Sequence, residues 1–177
     1  LGFFIFGMIY WHYGEEYLPA ENAKYGIYAD SLGQEIGLVS GDKILKIDDE
    51  PFVRFNDRTL LRAIAIDNAE QITVVRDGQE KTIPIDPKWS DLLTRHENKD
   101  NRLFHIRQPM IIKEIADDSP AEKAGFKKED QLIGVNEAAT PYYDQFINRV
   151  KGQKNETFTF TVLRGEAKDS VQLTATL

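Results

Sequence analysis

The sequence contains no cysteine, which excludes disulfides, thiolate nucleophiles and cysteine-based zinc sites. Histidine is scarce as well: His12, His96 and His105 are widely spaced, which indicates surface or linker residues rather than a metal site. Clusters of lysine and arginine are also lacking, and the 177 residues carry a net charge of −7. Because a nucleic-acid surface needs such clusters to displace counterions, we expect no nucleic-acid partner.

Long hydrophobic runs are lacking too. The most apolar stretch, residues 1–11, carries no charge but is shorter than the roughly 20 apolar residues of a spanning helix. It ends in an aromatic cluster followed by two glutamates, so two interpretations stay open: a buried strand or helix, or the end of a transmembrane helix. In the second case the acidic flank places the following chain on the non-cytoplasmic side, with residues 1–14 beside the membrane surface. A signal peptide fits less well, because a basic leader and a small-residue cleavage site are missing.

A repeat with a fixed offset organises the rest of the chain. Shifting the sequence by 88 residues superposes two copies without a gap through strands, helices and turns. The superposed pairs include Ile27 with Ile115, Ser31 with Ser119, Gly37 with Gly125, Asp42 with Asp130, and Arg76 with Arg164. A chance match of one apolar run would not keep phase over such a length, so the sequence predicts two domains.

Each copy has the same predicted order of elements. A first strand, 25–30 or 110–115, leads into a short helix that ends at a glycine. Capping boxes at the starts of the short helices pair Ser31 with Gln34 and Ser119 with Glu122. A second strand follows, then a longer amphipathic helix, 56–66 or 142–150, and a terminal hairpin. This order predicts an α+β fold, a small partly open barrel or sandwich with one short and one longer helix.

The most informative motif is SPAEKAGFKKEDQLIGVNEAA, residues 119–139. It resembles the SPAxxAGLxxGDxIxxVNG core of PDZ domains of the bacterial, circularly permuted type, and residues 31–51 are a weaker copy. The pattern departs at Glu129, Asp49 and Glu137, where the family has glycine and where we expect strained or reshaped turns. The resemblance implies two tandem circularly permuted PDZ domains. The predicted boundaries are a membrane-proximal segment 1–23, a first domain 24–86, a linker 87–103 and a second domain 104–177.

A PDZ pair behind an apolar segment resembles the periplasmic region of the site-2 protease family, the RseP-like intramembrane zinc metalloproteases. LFHIRQP, residues 103–109, is similar to the Leu-Gly-Ile-Arg-Pro run that opens the second PDZ domain of that family. The family's HExxH motif is missing, so the resemblance implies no cofactor in this chain and zinc in the protease domain of the parent protein. It further implies a periplasmic region of an inner-membrane protein that gates trimmed substrates during regulated intramembrane proteolysis in envelope stress.

Three alternatives stay open. The PDZ pair of an HtrA-type serine protease is the first, although the apolar aromatic start is unexpected where such a protease carries its catalytic domain. The second is a non-enzymatic scaffold or secretion adaptor. A carboxyl-terminal processing protease of the Ser-Lys type is disfavoured, because that family has one PDZ domain.

The PDZ resemblance implies peptide binding by strand addition beside the longer helix, next to a loop that captures a terminal carboxylate. In the first domain the implied peptide-binding residues are Lys24, Tyr25, Gly26, Ile27, Leu60, Leu61 and Ile64. In the second domain they are Arg107, Pro109, Met110, Ile111, Ile112, Phe146, Ile147 and Val150. The alternative is that the apolar members fill the core. Glu21 disfavours a carboxylate near the first loop, so the second domain is the better candidate for capturing a C-terminus.

Overall fold

The computed structural model describes residues 18–94, 102–153 and 155–176. The chain divides into two compact units, Leu1–Ile106 and Arg107–Leu177, called the first and the second unit below. The expectations for residues 1–14, and for His12 and His96, lie outside the described residues.

The first unit contains the predicted series of strands and helices with some additions. Its strands are β1 Ile27–Ala29, β2 Lys43–Ile47, β3 Glu50–Pro51, β4 Gln71–Arg76, β5 Gln79–Pro84 and β6 Phe104–Ile106. Its helices are α1 Ser31–Ile36, α2 Asp57–Ala65 and α3 Lys88–Thr94, preceded by the 3-10 turn Ala20–Asn22. One antiparallel sheet has the order β3-β2-β4-β5, and β1 pairs with β6 in a second, two-stranded sheet.

The second unit has the same core order. Its strands are β7 Met110–Ile111, β8 Gln131–Val135, β9 Ala138–Ala139, β10 Thr157–Arg164 and β11 Asp169–Thr176, and its helices are α4 Pro120–Lys123 and α5 Tyr143–Val150. The sheet runs β11-β10-β8-β7, with β9 on β8. Both units are mixed α+β with open sheets, which confirms the predicted fold class, and the described strands do not close into a barrel. The longer helices lie within one residue of their predicted bounds.

An aspartate–arginine pair ties the sheet to the end of the short helix in both units. Arg76 donates to both carboxylate oxygens of Asp42 at 2.7 Å and to the carbonyl of Gly37 at 2.9 Å. Arg164 makes the same contacts with Asp130, at 2.8 and 2.7 Å, and with Gly125 at 2.8 Å. Both carboxylates are buried, so these residues recur at the 88-residue offset because they stabilise each unit and not because they form a binding site. The aspartate, the arginine and the glycine carbonyl of each unit are together called the bracket below.

The 88-residue offset between the two copies does not hold at the first strand of each unit. Ile27 donates its N–H to Asp42 and accepts from Gly41, whereas in the second unit Ile112 exchanges the same bonds with Asp130 and Glu129. Ile112 therefore takes the structural place of Ile27, with a separation of 112 − 27 = 85 residues. The gapless superposition of Ile27 on Ile115 is wrong at this strand, because the second unit has three more residues before its short helix.

The helix caps and turns of the structure agree only in part with those that the sequence predicted. The capping box of the second unit forms in part: Ser119 accepts from the N–H of Glu122, but the Glu122 carboxylate accepts from the N–H of Asp118, one residue before the cap. In the first unit Ser31 is already inside the helix and Asp30 precedes it without a side-chain cap, so the predicted box is wrong. Glu129 and Glu137 have φ of 70° and 67°, left-handed values that favour glycine, as the departures from the family pattern predicted.

The division between the units differs from the predicted boundaries. The segment 87–103, predicted as a linker, contains α3, whose Trp89 and Leu93 are buried in the core of the first unit. Residues 104–106, predicted to begin the second domain, form β6 and pair with β1 of the first unit. The physical reason is burial: α3 and β6 bring apolar side chains that complete the first core.

Candidate functional site

The β1 edge of the first unit, predicted to receive a peptide, is already paired with β6. The two strands are antiparallel, with Ile27 opposite Ile106, Tyr28 opposite His105 and Ala29 opposite Phe104. The N–H of Asp30 continues the ladder by donating to the carbonyl of Leu103 at 3.0 Å. A segment of the chain itself therefore occupies this edge in the extended conformation that strand addition requires.

Two sets of side-chain contacts and one close backbone approach hold the β6 segment, residues 103–106. Leu103 and Phe104 are 0% and 2% exposed, and the Phe104 ring centroid lies 6.2 Å from Phe52 and 5.4 Å from Phe55 in edge-to-face geometry. His105 Nε2 lies 2.9 Å from a carboxylate oxygen of Asp30 on the exposed side. A close backbone approach adds the third constraint.

That approach involves Gly33 in α1. A Cβ at this position would collide with the carbonyl oxygen of Leu103, so only glycine allows the β6 segment to lie against the helix. The residues 103, 52, 55 and 33 are widely separated in sequence, which is why the pattern of the chain gave no sign of this cleft.

The structure places most of the predicted peptide-binding residues of the first unit in its core. Ile27, Leu60 and Ile64 are buried, and Leu61 packs partly buried against the same cluster. Gly26 is buried with a φ of 71°, and the carbonyl oxygens of Gly41 and Asp42 fill the space of a Cβ. Lys24 and Tyr25 are exposed in the turn before β1.

In the second unit the corresponding edge has no added strand among the described residues. Met110 and Ile111 pair with β8, and Ile112 exchanges hydrogen bonds on the same side. Alternate residues of a strand point their backbone groups to opposite sides, so continuation of this alternation past Ile112 predicts that the N–H and C=O of Lys113 point to the open edge. No described residue bonds to that N–H.

The apolar residues predicted around this edge are partly accessible. Ile111 is exposed, and Ile147 is half-buried on α5. Ile112, Phe146 and Val150 pack partly buried against the second core. Met110, Ile112, Phe146 and Val150 therefore pack against one core, and the described residues add no strand to the outer edge of β7.

Arg107, which the resemblance implied as a peptide-binding residue, makes close contacts with two residues at the start of α5. Its guanidinium stacks 3.9 Å from the ring centroid of Tyr142 and donates to both carboxylate oxygens of Asp144, at 3.2 and 3.1 Å. The two charged side chains are 11% and 8% exposed, so Asp144 neutralises Arg107 in a largely buried pair. Pro109 is bridged to Tyr142, and Gln108 accepts from the N–H of Tyr143. Arg107 therefore anchors the start of the second unit to α5.

The residues that the structure describes contain no group of three His, Asp or Glu side chains arranged to hold a metal ion. None of their helices is both long and apolar enough to cross a bilayer.

The strand edges and helices described above are those of a PDZ-type α+β module. Residues 90–175 match the family model described as "PDZ domain", so the chain contains a PDZ domain. The match begins before the division between the units and therefore includes β6, which pairs with the first unit in the structure.

The chain is similar to proteases of two chemical classes. It is 22% identical over 150 residues to a "Probable serine protease do-like" of Buchnera aphidicola, covering 78% of this chain and 31% of that protein. It is 24% identical over 135 residues to a "Putative zinc metalloprotease" of Treponema pallidum, covering 76% of this chain and 29% of that protein. A "Probable periplasmic serine endoprotease DegP-like" of Pseudomonas fluorescens is 27% identical over 171 residues, 82% of this chain and 36% of that protein. The chain thus spans about a third of the length of these curated relatives.

Proposed function

We propose that this chain is the non-catalytic, peptide-binding and substrate-gating PDZ pair of a membrane-embedded zinc metalloprotease that performs regulated intramembrane proteolysis. The similarity to the zinc metalloprotease of Treponema pallidum supports the parent class. The apolar residues 1–11, followed by an aromatic cluster and an acidic flank, support a periplasmic position next to the inner membrane. Zinc in the parent would supply the hydrolytic chemistry, and this chain would select the substrate.

The observation that carries peptide binding is the contrast between the two strand edges. In the first unit the β1 edge is filled by the β6 segment, so strand addition at this edge is part of the fold. In the second unit no described strand is added to the outer edge of β7, the strand that carries exposed Ile111. Unpaired edges of this kind template an incoming strand, and PDZ domains use such addition to hold peptides.

Replacing Lys113 by proline is expected to weaken peptide binding by the second unit at least tenfold, since proline removes an edge N–H that a peptide carbonyl would need. The measurement is fluorescence anisotropy of the full chain against peptides selected from a random library. Lys113→Ala keeps the N–H and is the matched control, expected to bind as the unmodified chain does. Equal binding by Lys113→Pro and Lys113→Ala would show that this strand edge does not bind the peptide.

A serine protease of the HtrA type is the second candidate parent, since two of the similar proteins carry serine protease names. A non-enzymatic scaffold or secretion adaptor remains a third, because peptide binding by itself requires no protease. The first two differ in what stands immediately before this chain: an HExxH-bearing membrane domain in one case and a serine protease domain in the other.

Flotation with liposomes separates the membrane-linked parent from the alternatives. The full chain is expected to rise with the vesicles, and a variant without residues 1–14 is expected to stay at the bottom of the gradient, because the apolar aromatic segment would be the anchor. Vesicles of zwitterionic lipid are the appropriate probe, as the chain has a net charge of −7. If neither form rises, the membrane-embedded parent is the wrong choice.

A further inference from the structure

We infer that the first unit recognises internal extended segments rather than chain ends, and that its own β6 segment is the resident occupant of this site. The site is the cleft formed by β1, Gly33, Phe52 and Phe55. It fits a segment with a bulky aliphatic residue, an aromatic residue, a histidine or cationic residue and a second aliphatic residue, in that order. The inference rests on the proposed peptide-binding function and assigns a second, different specificity to the first unit.

The backbone of the occupant passes through the cleft. Leu103 follows Arg102, and Ile106 continues into Arg107, so the ladder from Asp30 to Ile27 binds a segment with chain on both sides. No chain terminus takes part in the pairing of β1 with β6. A segment in the middle of a protein substrate meets the same backbone requirements as β6.

Each side chain of the occupant meets a distinct partner. Gly33 admits the carbonyl of Leu103, which no other residue type would allow. Phe52 and Phe55 enclose the ring of Phe104 on two sides. Asp30 pairs with His105, and a lysine or arginine at that position would find the same carboxylate.

The cleft belongs to the first unit and is not a general consequence of the fold. Thr140 repeats the backbone bond of Phe52, since each donates to the second strand of its unit at 2.8 Å. At the 88-residue offset, Thr140 and Tyr143 stand in place of Phe52 and Phe55, and Ala121 stands in place of Gly33. The second unit therefore has one aromatic residue, Tyr143, where the first unit has two, and its Ala121 carries the Cβ that would block this close approach.

The backbone pairing of the occupant is short, and we infer that it exchanges with external segments although Leu103 and Phe104 are buried. Among the described strands β6 pairs with β1 alone, over three residue pairs, in a sheet separate from the four-stranded sheet of the unit. An external segment with the same pattern would therefore compete for the cleft. Its apparent affinity is its intrinsic affinity multiplied by the fraction of molecules in which β6 has left the cleft.

The test uses the peptide Arg-Leu-Phe-His-Ile-Arg, the sequence of residues 102–107, acetylated and amidated so that neither end is charged, with a fluorescent label. Fluorescence anisotropy measures its binding to the full chain and to Phe104→Leu, which loosens β6 while keeping an aliphatic side chain in the core. We expect Phe104→Leu to bind about tenfold more tightly than the unmodified chain, because the competent fraction rises. The peptide with alanine in place of phenylalanine should bind at least tenfold more weakly, and a free carboxylate should change nothing.

Two further variants decide the location of binding. Gly33→Ala in the Phe104→Leu background should abolish binding, since the added Cβ blocks the cleft, whereas Lys113→Pro in the same background should leave binding unchanged. If Phe104→Leu disturbs the fold, seen as exposure of buried Trp89 in its emission, His105→Ala replaces it, and a threefold gain is then expected. Equal, weak binding by all folded variants overturns the inference, as does preference for a free carboxylate. Loss of binding by Lys113→Pro would assign the peptide to the second unit, so failure here is distinguishable from failure of the proposed function.

Discussion

Phe104→Ala is expected to lower the free energy of unfolding of the first unit by about 4 kcal/mol, because removal of a buried phenylalanine side chain costs its transfer free energy plus the cavity it leaves. Phe104 is almost fully buried and contacts Phe52 and Phe55 edge to face. The change also removes the main anchor of β6, so the β1 edge should lose protection against amide exchange. The second unit has its own aromatic cluster of Phe126, Phe158 and Phe160 and should be unaffected.

The measurement is urea unfolding followed by the emission of Trp89, which is buried in the first unit. His105→Ala is the matched control on the same strand: its side chain is 43% exposed, so the loss of its pair with Asp30 should cost less than about 1 kcal/mol. A loss for Phe104→Ala as small as that of His105→Ala would mean that β6 is not part of the first core.

Arg164→Ala is expected to destabilise the second unit by about 3 kcal/mol, because it leaves the buried carboxylate of Asp130 without its charged partner. The figure lies at the lower end of the range for broken buried pairs, since the Arg164 side chain is 25% exposed. The carbonyl of Gly125 loses its donor at the same time. Arg76→Ala should have a similar effect in the first unit, where Asp42 is equally buried.

Amide exchange of β10 measures the stability of the second unit directly. Arg62→Ala is the control for loss of an arginine, because its pair with Asp67 is 3.6 Å long and exposed, and such pairs contribute about 0 to 1 kcal/mol. A cost for Arg164→Ala within that range would show that the bracket does not stabilise the fold.

The same pair gives the second unit a dependence on pH. The hydrogen bonds from the Arg164 guanidinium hold the pKa of Asp130 below its ordinary value, outweighing desolvation, which acts in the opposite direction. Because the folded pKa is the lower one, the contribution is fully present above the unfolded value of about 4 and is lost as the pH falls through the folded value. Arg164→Ala should reduce the decrease in the free energy of unfolding between neutral and strongly acidic pH, measured by unfolding at each pH. If the pH dependence of the variant equals that of the unmodified chain, other carboxylates cause the acid sensitivity.

Local patterns of the sequence were sufficient for the architecture. Helical periodicity placed α2 and α5 within one residue, and the Asp77-Gly78 pair at positive φ joins β4 to β5 as a tight hairpin requires. The offset repeat also identified the aspartate and arginine of each bracket. All of these signals depend on residues close in sequence or on the repetition itself, so no coordinates were needed to find them.

The sequence was insufficient where burial separates core from surface. Leu60 and Ile64 satisfy the pattern of a groove-lining helix as well as that of a core helix, and the structure places both in the core. Arg107 is a reasonable carboxylate partner by position and charge, and only its contacts with Tyr142 and Asp144 assign it to an anchoring role. The close approach at Gly33 has no signal in the sequence of α1, because the atom it admits belongs to residue 103.

The segment Leu103–Ile106 shows most clearly what the sequence determined and what the tertiary structure determined. By itself the sequence predicted two copies of an α+β module of PDZ type, and it assigned residues 104–106 of this segment to the start of the second copy. Which unit the segment joins was decided only by tertiary structure. Strand pairing with β1 and burial of Leu103 and Phe104 are contacts over more than 70 residues of chain, which is the separation of Ala29 and Phe104 (104 − 29 = 75). Such contacts depend on the complementary shape of the cleft, and no local pattern specifies that shape.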